Sequence, residues 1–423
     1  MLMKRWLLGS HWLVGSFCLV QGLSGCSSSS SHPSAVGGAQ ATGGSSATGG
    51  GSSTGGESTA GGATSSTGGS TAALTAKWLS AGSDFVCDVL SDGTARCWGA
   101  GFQGELGDGS AVNSRTPLTV FGLSTAVAVA AGDAHACALL ASHELRCWGL
   151  NGSGQVGNGT LSDQHRPAAV TGVSSAIAVS AGKSYTCAVL SDGSVECWGE
   201  NGKGQLGNGS YDIGKTPVAV SNLSNAKGVT AGDTHACAWL GDGSVHCWGD
   251  NMNGELGDGS GMRSNTPVLV ANITNAVSVG AGTSHSCAAL SDGSVKCWGN
   301  NSHGELGDGT TTSSPTPVSA SGITTAKQIA AGAMQSCARL SDGTLLCWGN
   351  NPAGELGNGT TTNSSSPLNV TGITDAASVT AGRNYTCELN TAGAAMCWGY
   401  NTYGQLGNNS LASSSDPVAA ATF

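Results

Sequence analysis

From residue 77 onward, apolar side chains alternate with small or polar ones in short runs. Ala126–Ala130 and Ala276–Gly280 read apolar–polar with period two, and no stretch sustains the three-to-four-residue period of an amphipathic helix. Alternation over four to eight residues, broken by Gly, Asp or Ser, predicts strands. Four such runs recur in a fixed order. The first ends at an Ala-Gly pair, as in Thr75–Ser80. The second holds a cysteine, as in His135–Leu140, and the third ends at Trp-Gly, as in Ser194–Gly199. The fourth is a Pro-Val segment such as Pro217–Val220, with proline expected at the strand's first residue, where its missing donor is tolerated.

The order repeats with a strict period. Cysteines stand at 87, 137, 187, 237, 287, 337 and 387, each 50 apart, and a second set follows ten residues later. Trp-Gly pairs stand at 98, 148, 198, 248, 298, 348 and 398. A glycine-rich period of this length predicts an all-β fold, a seven-bladed β-propeller of four-stranded blades. The repeat units run about 77–126, 127–176, 177–226, 227–276, 277–326, 327–376 and 377–423 within a propeller spanning 74–423.

Between the second and third strands, Ser91-Asp92-Gly93 and its equivalents form a three-residue hairpin loop with glycine at the left-handed position. His143 takes that place in the second unit and should be slightly strained. Counting outward pairs Val89 with Ala95, Asp88 with Arg96 and Cys87 with Cys97. The cysteines fall at a non-hydrogen-bonded site, where Cα atoms lie roughly 4.5 Å apart, within disulfide reach. The same register pairs Cys137–Cys147, Cys187–Cys197, Cys237–Cys247, Cys287–Cys297, Cys337–Cys347 and Cys387–Cys397. Of 16 cysteines, Cys18 and Cys26 remain, leaving 14 for seven pairs. Zinc ligation by these cysteines is disfavoured, because zinc sites use shorter spacing. The chain begins with a first-type strand and ends with a fourth-type strand, so the ring is expected to close by a clasp. In that arrangement the C-terminal strand, Pro417–Phe423, completes the N-terminal blade and removes a sticky edge.

The N-terminal segment has a different character. Lys4 and Arg5 precede a mostly apolar stretch, Trp6 to Val20, too short for a comfortable membrane span. Residues 1–25 are expected to be an export signal. Leu23-Ser24-Gly25-Cys26 resembles the bacterial lipoprotein box, which implies acylation of Cys26. Ser27 resembles an outer-membrane sorting signal, so the expected location is a lipid anchorage in the bacterial cell envelope, at the outer membrane. Residues 26–73 comprise this cysteine and a Gly/Ser/Thr-rich tether with Glu57 as its single acidic residue. Such a composition buries no core, and its 47 residues after Cys26 reach about 35–40 Å. Net charge is −10, with 16 Lys+Arg against 26 Asp+Glu and no basic cluster, which argues against nucleic-acid binding.

Units such as SYTCAVLSDGSVECWGENGKGQLGNGS, at 184–210, resemble the regulator of chromosome condensation repeat family. Its hallmark is x-W-G-x-N-x-x-G-Q-L-G-x-G followed by a Pro-Val strand, and the resemblance covers residues 77–423. It implies a seven-bladed ring that binds another protein. Members serve as a nucleotide exchange factor, a plant ultraviolet receptor, ubiquitin-ligase domains and a secreted β-lactamase inhibitor. The exchange factor's insertion and basic tail have no counterpart here. The repeat tryptophans read as blade packing, not as a photoreceptor cluster.

Seven units act as internal replicates. The position before Leu-Gly is Glu105, Gln155, Gln205, Glu255, Glu305, Glu355 and Gln405, so charge is dispensable there and hydrogen bonding is the expected role. Asp108, Asp258 and Asp308 alternate with Asn, which favours turn chemistry over calcium ligation. Phe85, His135, Tyr185, His235, His285, Gln335 and Tyr385 share one position and read as a packing layer with a polar edge, not a metal ring. No G-x-S-x-G elbow precedes a helix pattern. No cofactor, metal or catalytic residue is expected. The variable loop residues Phe102, Leu150, Lys203, Tyr211, Met252, Met262, Arg263, His303, Tyr400 and Tyr403 are the candidate contact surface. The expectation is a monomeric, non-catalytic scaffold that binds a protein at the envelope, with a polysaccharide as the alternative ligand and a hydrolase or lyase site in the central channel as a remoter one.

Overall fold

The computed structural model describes residues 74–421. The signal, Cys26, the tether and Cys18 lie outside the described residues. Within them the chain forms seven four-stranded antiparallel sheets, each from one continuous stretch. Blade one consists of Ala76–Ala81, Phe85–Leu90, Ala95–Gly99 and Ser114–Thr119. Blade seven consists of Ala376–Ala381, Tyr385–Asn390, Ala395–Gly399 and Ser414–Ala419. The first strands line a central channel and the fourth strands form the outer edges.

The hairpin register is the one the loop length dictates. Leu90 N donates to Thr94 O at 2.8 Å, and Cys87 pairs with Cys97, Asp88 with Arg96 and Val89 with Ala95. Every blade carries a bonded cysteine pair with Cα atoms 4.0–4.1 Å apart. His143 has φ 67°, as its loop position requires, and its Nδ1 lies 2.9 Å from the carbonyl oxygen of Ala176.

The core sits between blades rather than within them. Each seam combines one blade's cystine and Leu-Gly leucine or valine with the next blade's tryptophan. In the first seam Cys87, Cys97 and Leu106 pack with Val129, Ala138 and Trp148. All seven repeat tryptophans are fully buried. Each donates its indole N–H to the backbone carbonyl of the preceding blade's Glu/Gln residue at 2.7–3.0 Å, from Trp148 to Glu105 around to Trp98 to Gln405. The glycine after the leucine exists for this contact. Gly207 has φ +65°, and a Cβ there would stand 2.8 Å from Trp248 Cδ1.

Two expectations need correction. No strand is exchanged at ring closure: Ser414–Ala419 pairs with its own third strand, and blade one takes its fourth strand, Ser114–Thr119, from its own unit. The ends meet by side-to-side packing, with Trp98 and Leu79 against Cys387, Cys397 and Leu406. A seam with the same tryptophan hydrogen bond and cystine packing as the other six closes the ring, so closure needs no clasp. The fourth strand also starts earlier than expected. It spans Gly214–Ala219 in blade three, which puts Pro217 at its fourth residue, inside a register shift on the edge strand. An edge strand has one unpaired side, and a ladder irregularity leaves the missing N–H without consequence.

Candidate interaction face

Strand order assigns every loop to one of two faces. Phe85, which starts the second strand, pairs with Gly99, which ends the third. The turn at 82–84 and the long connection at 100–113 therefore open on the same face, and Ala100 N donates to Asp84 O at 2.8 Å. The 91–93 hairpin and the 120–125 connection lie on the opposite face. All ten candidate residues sit in the long third-to-fourth-strand connections, so all ten belong to one face.

These connections are rigid because their interiors are satisfied. The side-chain oxygen of each Glu/Gln at 105, 155, 205, 255, 305, 355 and 405 accepts the N–H two residues upstream at 2.7–3.0 Å. This is the hydrogen-bonding role that the Glu/Gln exchange implied. The motif asparagine is the second staple, and its role was not legible beforehand. Asn201, fully buried, accepts Leu206 N–H at 3.0 Å and donates to the carbonyls of Ser210 and Asp212 at 3.1 and 3.0 Å. Its recurrence at 151, 251, 301, 351 and 401 was the available signal. Asp108, Asp258 and Asp308 each accept the N–H two residues on, as turn residues do.

The layer at 85, 135 and onward links neighbouring blades. His135 Nε2 lies 2.8 Å from Thr186 Oγ1, and His235 Nε2 lies 2.8 Å from Ser286 Oγ. Tyr185 donates to the carbonyl of His235, and Gln335 Nε2 donates to the carbonyls of Gly382 and Tyr385 at 3.0 and 3.1 Å. Full burial lowers His135, His235 and His285 to about 4, so these imidazoles are neutral. Beside this layer, seven Ala-Gly turns crowd the channel mouth. A Cβ at Gly82 would stand 2.4 Å from the carbonyl oxygen of Gly132.

The mouth itself carries mixed charge. Arg383 Nη2 donates to Asp133 Oδ1 at 2.7 Å, and Ser83 Oγ donates to the same carboxylate. Burial raises Asp84 and Asp233, with Arg383 opposing the shift at Asp84 and Lys183 opposing it at Asp233. Opposite charges thus offset one another in part here, with three carboxylates against two cations, and the sequence pattern had assigned these residues no part.

The candidate residues differ in availability. Met252 and Met262 are 74% and 73% exposed, Phe102 56% and Tyr211 50%. Arg263 is also exposed, while Leu150 is half-buried. Lys203 is engaged with Asp250 at 3.2 Å, and His303 Nδ1 lies 3.3 Å from Glu305 Oε1. Phe102 and Tyr403 meet edge-to-face at 5.7 Å across the closing seam, and Tyr400 continues the cluster 6.5 Å from Tyr403. Residues from opposite ends of the propeller sequence therefore form one aromatic patch.

The model for the RCC1-like domain matches residues 177–421, and models for the regulator of chromosome condensation repeat match 126–155 and the segments 92–139 and 144–189. A comparison with curated proteins returned no match. Among solved structures, human WBSCR16 is similar at 21% identity and TM-score 0.70, over 77% of this chain and 92% of that one. Yeast RCC1 (Prp20), solved bound to Kap60, is similar at 21% identity and TM-score 0.68, over 82% of this chain and 84% of that one. Prp20p from Saccharomyces cerevisiae, solved in work on its binding to Gsp1p and histones, matches at 22% and TM-score 0.67, over 80% and 86%. At these identities the likeness carries the fold alone. With more than half its length under one family model and seven blades built on that repeat, this chain belongs to the RCC1-like domain family.

Proposed function

We propose that the chain is a non-catalytic scaffold, held at a bacterial envelope membrane by a lipid on Cys26, whose long-loop face binds another protein. The observation that carries the binding reading is the aromatic patch of Phe102, Tyr403 and Tyr400 across the closing seam, on the face that holds all ten candidate residues. Exposed Phe102, Tyr211, Met252 and Met262, with half-buried Tyr400 and Tyr403, sit on well-satisfied loops and suit contact anchors, because little loop ordering is needed on docking. The similar Prp20 was solved with a protein bound. Seven bonded cysteine pairs suit an oxidising compartment, which supports export.

The test is capture from envelope extract with the mature chain as bait, beside a Phe102→Ala/Tyr403→Ala variant. A protein retained by the first and lost from the second supports the reading. Retention of glycan with no protein, or capture indifferent to both substitutions, overturns it. Labelling with a fatty-acid analogue tests the anchor: incorporation should vanish in Cys26→Ser.

A further inference from the structure

The seven seams are replicates on the long-loop face. Gln155 and Gln205 leave a buried side-chain nitrogen unpaired at one shared position, and between blades six and seven the unpaired atom there is instead a carboxylate oxygen. After its carboxylate accepts the upstream N–H, each glutamate at this position has a second oxygen to satisfy. Asn253 Nδ2 donates to Glu255 Oε1 at 2.8 Å, and His303 Nδ1 lies 3.3 Å from Glu305 Oε1. At the sixth blade the capping position is Ala353, which has no donor. Glu355 is 1% exposed, and its Oε1 has no hydrogen-bond partner among the described residues. A buried acceptor left unpaired is costly and needs a reason.

Glu355 lines a groove that opens between the two blades. Tyr400 and Pro352 supply apolar surface, and Asn350, Asn384 and Ser415 supply neutral groups that both donate and accept. Among the described residues no Lys, Arg or His lines it, so none of them balances an anionic ligand. Burial raises the Glu355 carboxyl above its ordinary range, which favours a neutral ligand too. An ammonium group donates only and would leave the amide donors unmatched. A sugar hydroxyl donates and accepts, and a pyranose ring also has an apolar face for an aromatic side chain. A few convergent polar groups beside aromatic surface is the usual make-up of a small-ligand site.

We propose that this groove is a subsite for a neutral sugar residue of an oligosaccharide. One hydroxyl donates to Glu355 Oε1, neighbouring hydroxyls bond the amides of Asn350 and Asn384, and the ring lies on Tyr400. The subsite shares Tyr400 with the aromatic patch but does not rest on the protein-binding reading, because Phe102 and Tyr403 are no part of it.

Calorimetric titration of the mature chain with cellotetraose, maltotetraose and chitotetraose tests it. At least one should bind with a Kd below roughly 10 mM. Ala353→Asn places in blade six the cap that Asn253 provides in blade four, so it should hold or raise the melting temperature and weaken binding by about fivefold or more. Tyr400→Ala should keep the melting temperature and weaken binding likewise. Phe102→Ala should leave the sugar affinity unchanged. Failure of all three sugars to bind, a smaller loss in Ala353→Asn, or displacement of the sugar by N-acetyl-lysine methylamide would overturn the subsite.

Discussion

Trp98 Nε1 donates to the carbonyl oxygen of Gln405 at 3.0 Å, joining residues 307 positions apart. The bond is fully buried and repeats the one that Trp248 makes with Gln205 at 2.8 Å across an interior seam. Trp98→Phe leaves the Gln405 carbonyl unpaired and should cost about 1–3 kcal/mol. Because closure uses an ordinary seam, Trp248→Phe should cost about the same. Denaturant unfolding of the two variants checks this. A much larger loss for Trp98→Phe would mean that closure depends on something the other seams lack.

The cystines lie in the seam cores at 0% exposure, each closing a hairpin with a sequence separation of 10. In a chain-entropy view a loop of that size contributes about 2–3 kcal/mol. Replacing Cys187 and Cys197 together by Ala should lower stability by about that much, with some further loss from the space left behind. Alkylating the unreduced mature protein should label none of the fourteen repeat cysteines.

Glu388 sits in the second strand of blade seven at 0% exposure, opposite Met396 and Val379, with neither carboxylate oxygen hydrogen-bonded. Burial, aided by Asp375, raises it from its ordinary 4.5 to about 8. The fold therefore holds a proton that the unfolded chain releases. Its stabilising share is complete below pH 4.5 and is lost as pH climbs toward 8. Glu388→Gln should flatten this limb, raising the melting temperature above pH 8 and leaving it unchanged near pH 4. Blade one manages the same position with Asp88, paired to Arg96.

His135, His235 and His285 act in the opposite direction. Burial lowers each from 6.5 to about 4, so their share is complete above pH 6.5 and is lost as pH falls toward 4. The loss reaches up to about 3 kcal/mol per histidine. Since Gln335 fills the same place in blade six, replacing all three by Gln should keep the ring and flatten the acid limb of a stability-against-pH curve.

The aromatic patch should contribute little to the stability of the free protein. Phe102→Ala with Tyr403→Ala should change unfolding free energy by no more than about 2 kcal/mol, since Phe102 is 56% exposed and Tyr403 half-buried, while abolishing partner capture. Loss of the fold in this variant would show that the patch belongs to the seam and not to a binding face.

The features readable from the sequence alone obey local rules. A three-residue loop ending in glycine sets its hairpin register, so Cys87 opposite Cys97 followed from counting. A period of 50 residues with four alternating runs implied identical blades, and exchange of Glu and Gln before Leu-Gly implied a hydrogen bond instead of a catalytic charge. Tertiary structure decided what depends on partners in another unit. Either phase of four strands satisfies the same periodicity, so only the pairing of Ser414–Ala419 with its own third strand, and of Ser114–Thr119 with blade one's, excluded the clasp. Proline at position 217 marked a strand but not its start, because register irregularities arise from the neighbouring strand. The meeting of Phe102 with Tyr403, the uncapped Glu355 and the unpaired Glu388 each require knowing which side chains the next blade brings. Sequence periodicity specifies how one module folds, and the free energy of seams between modules specifies where unlike residues meet.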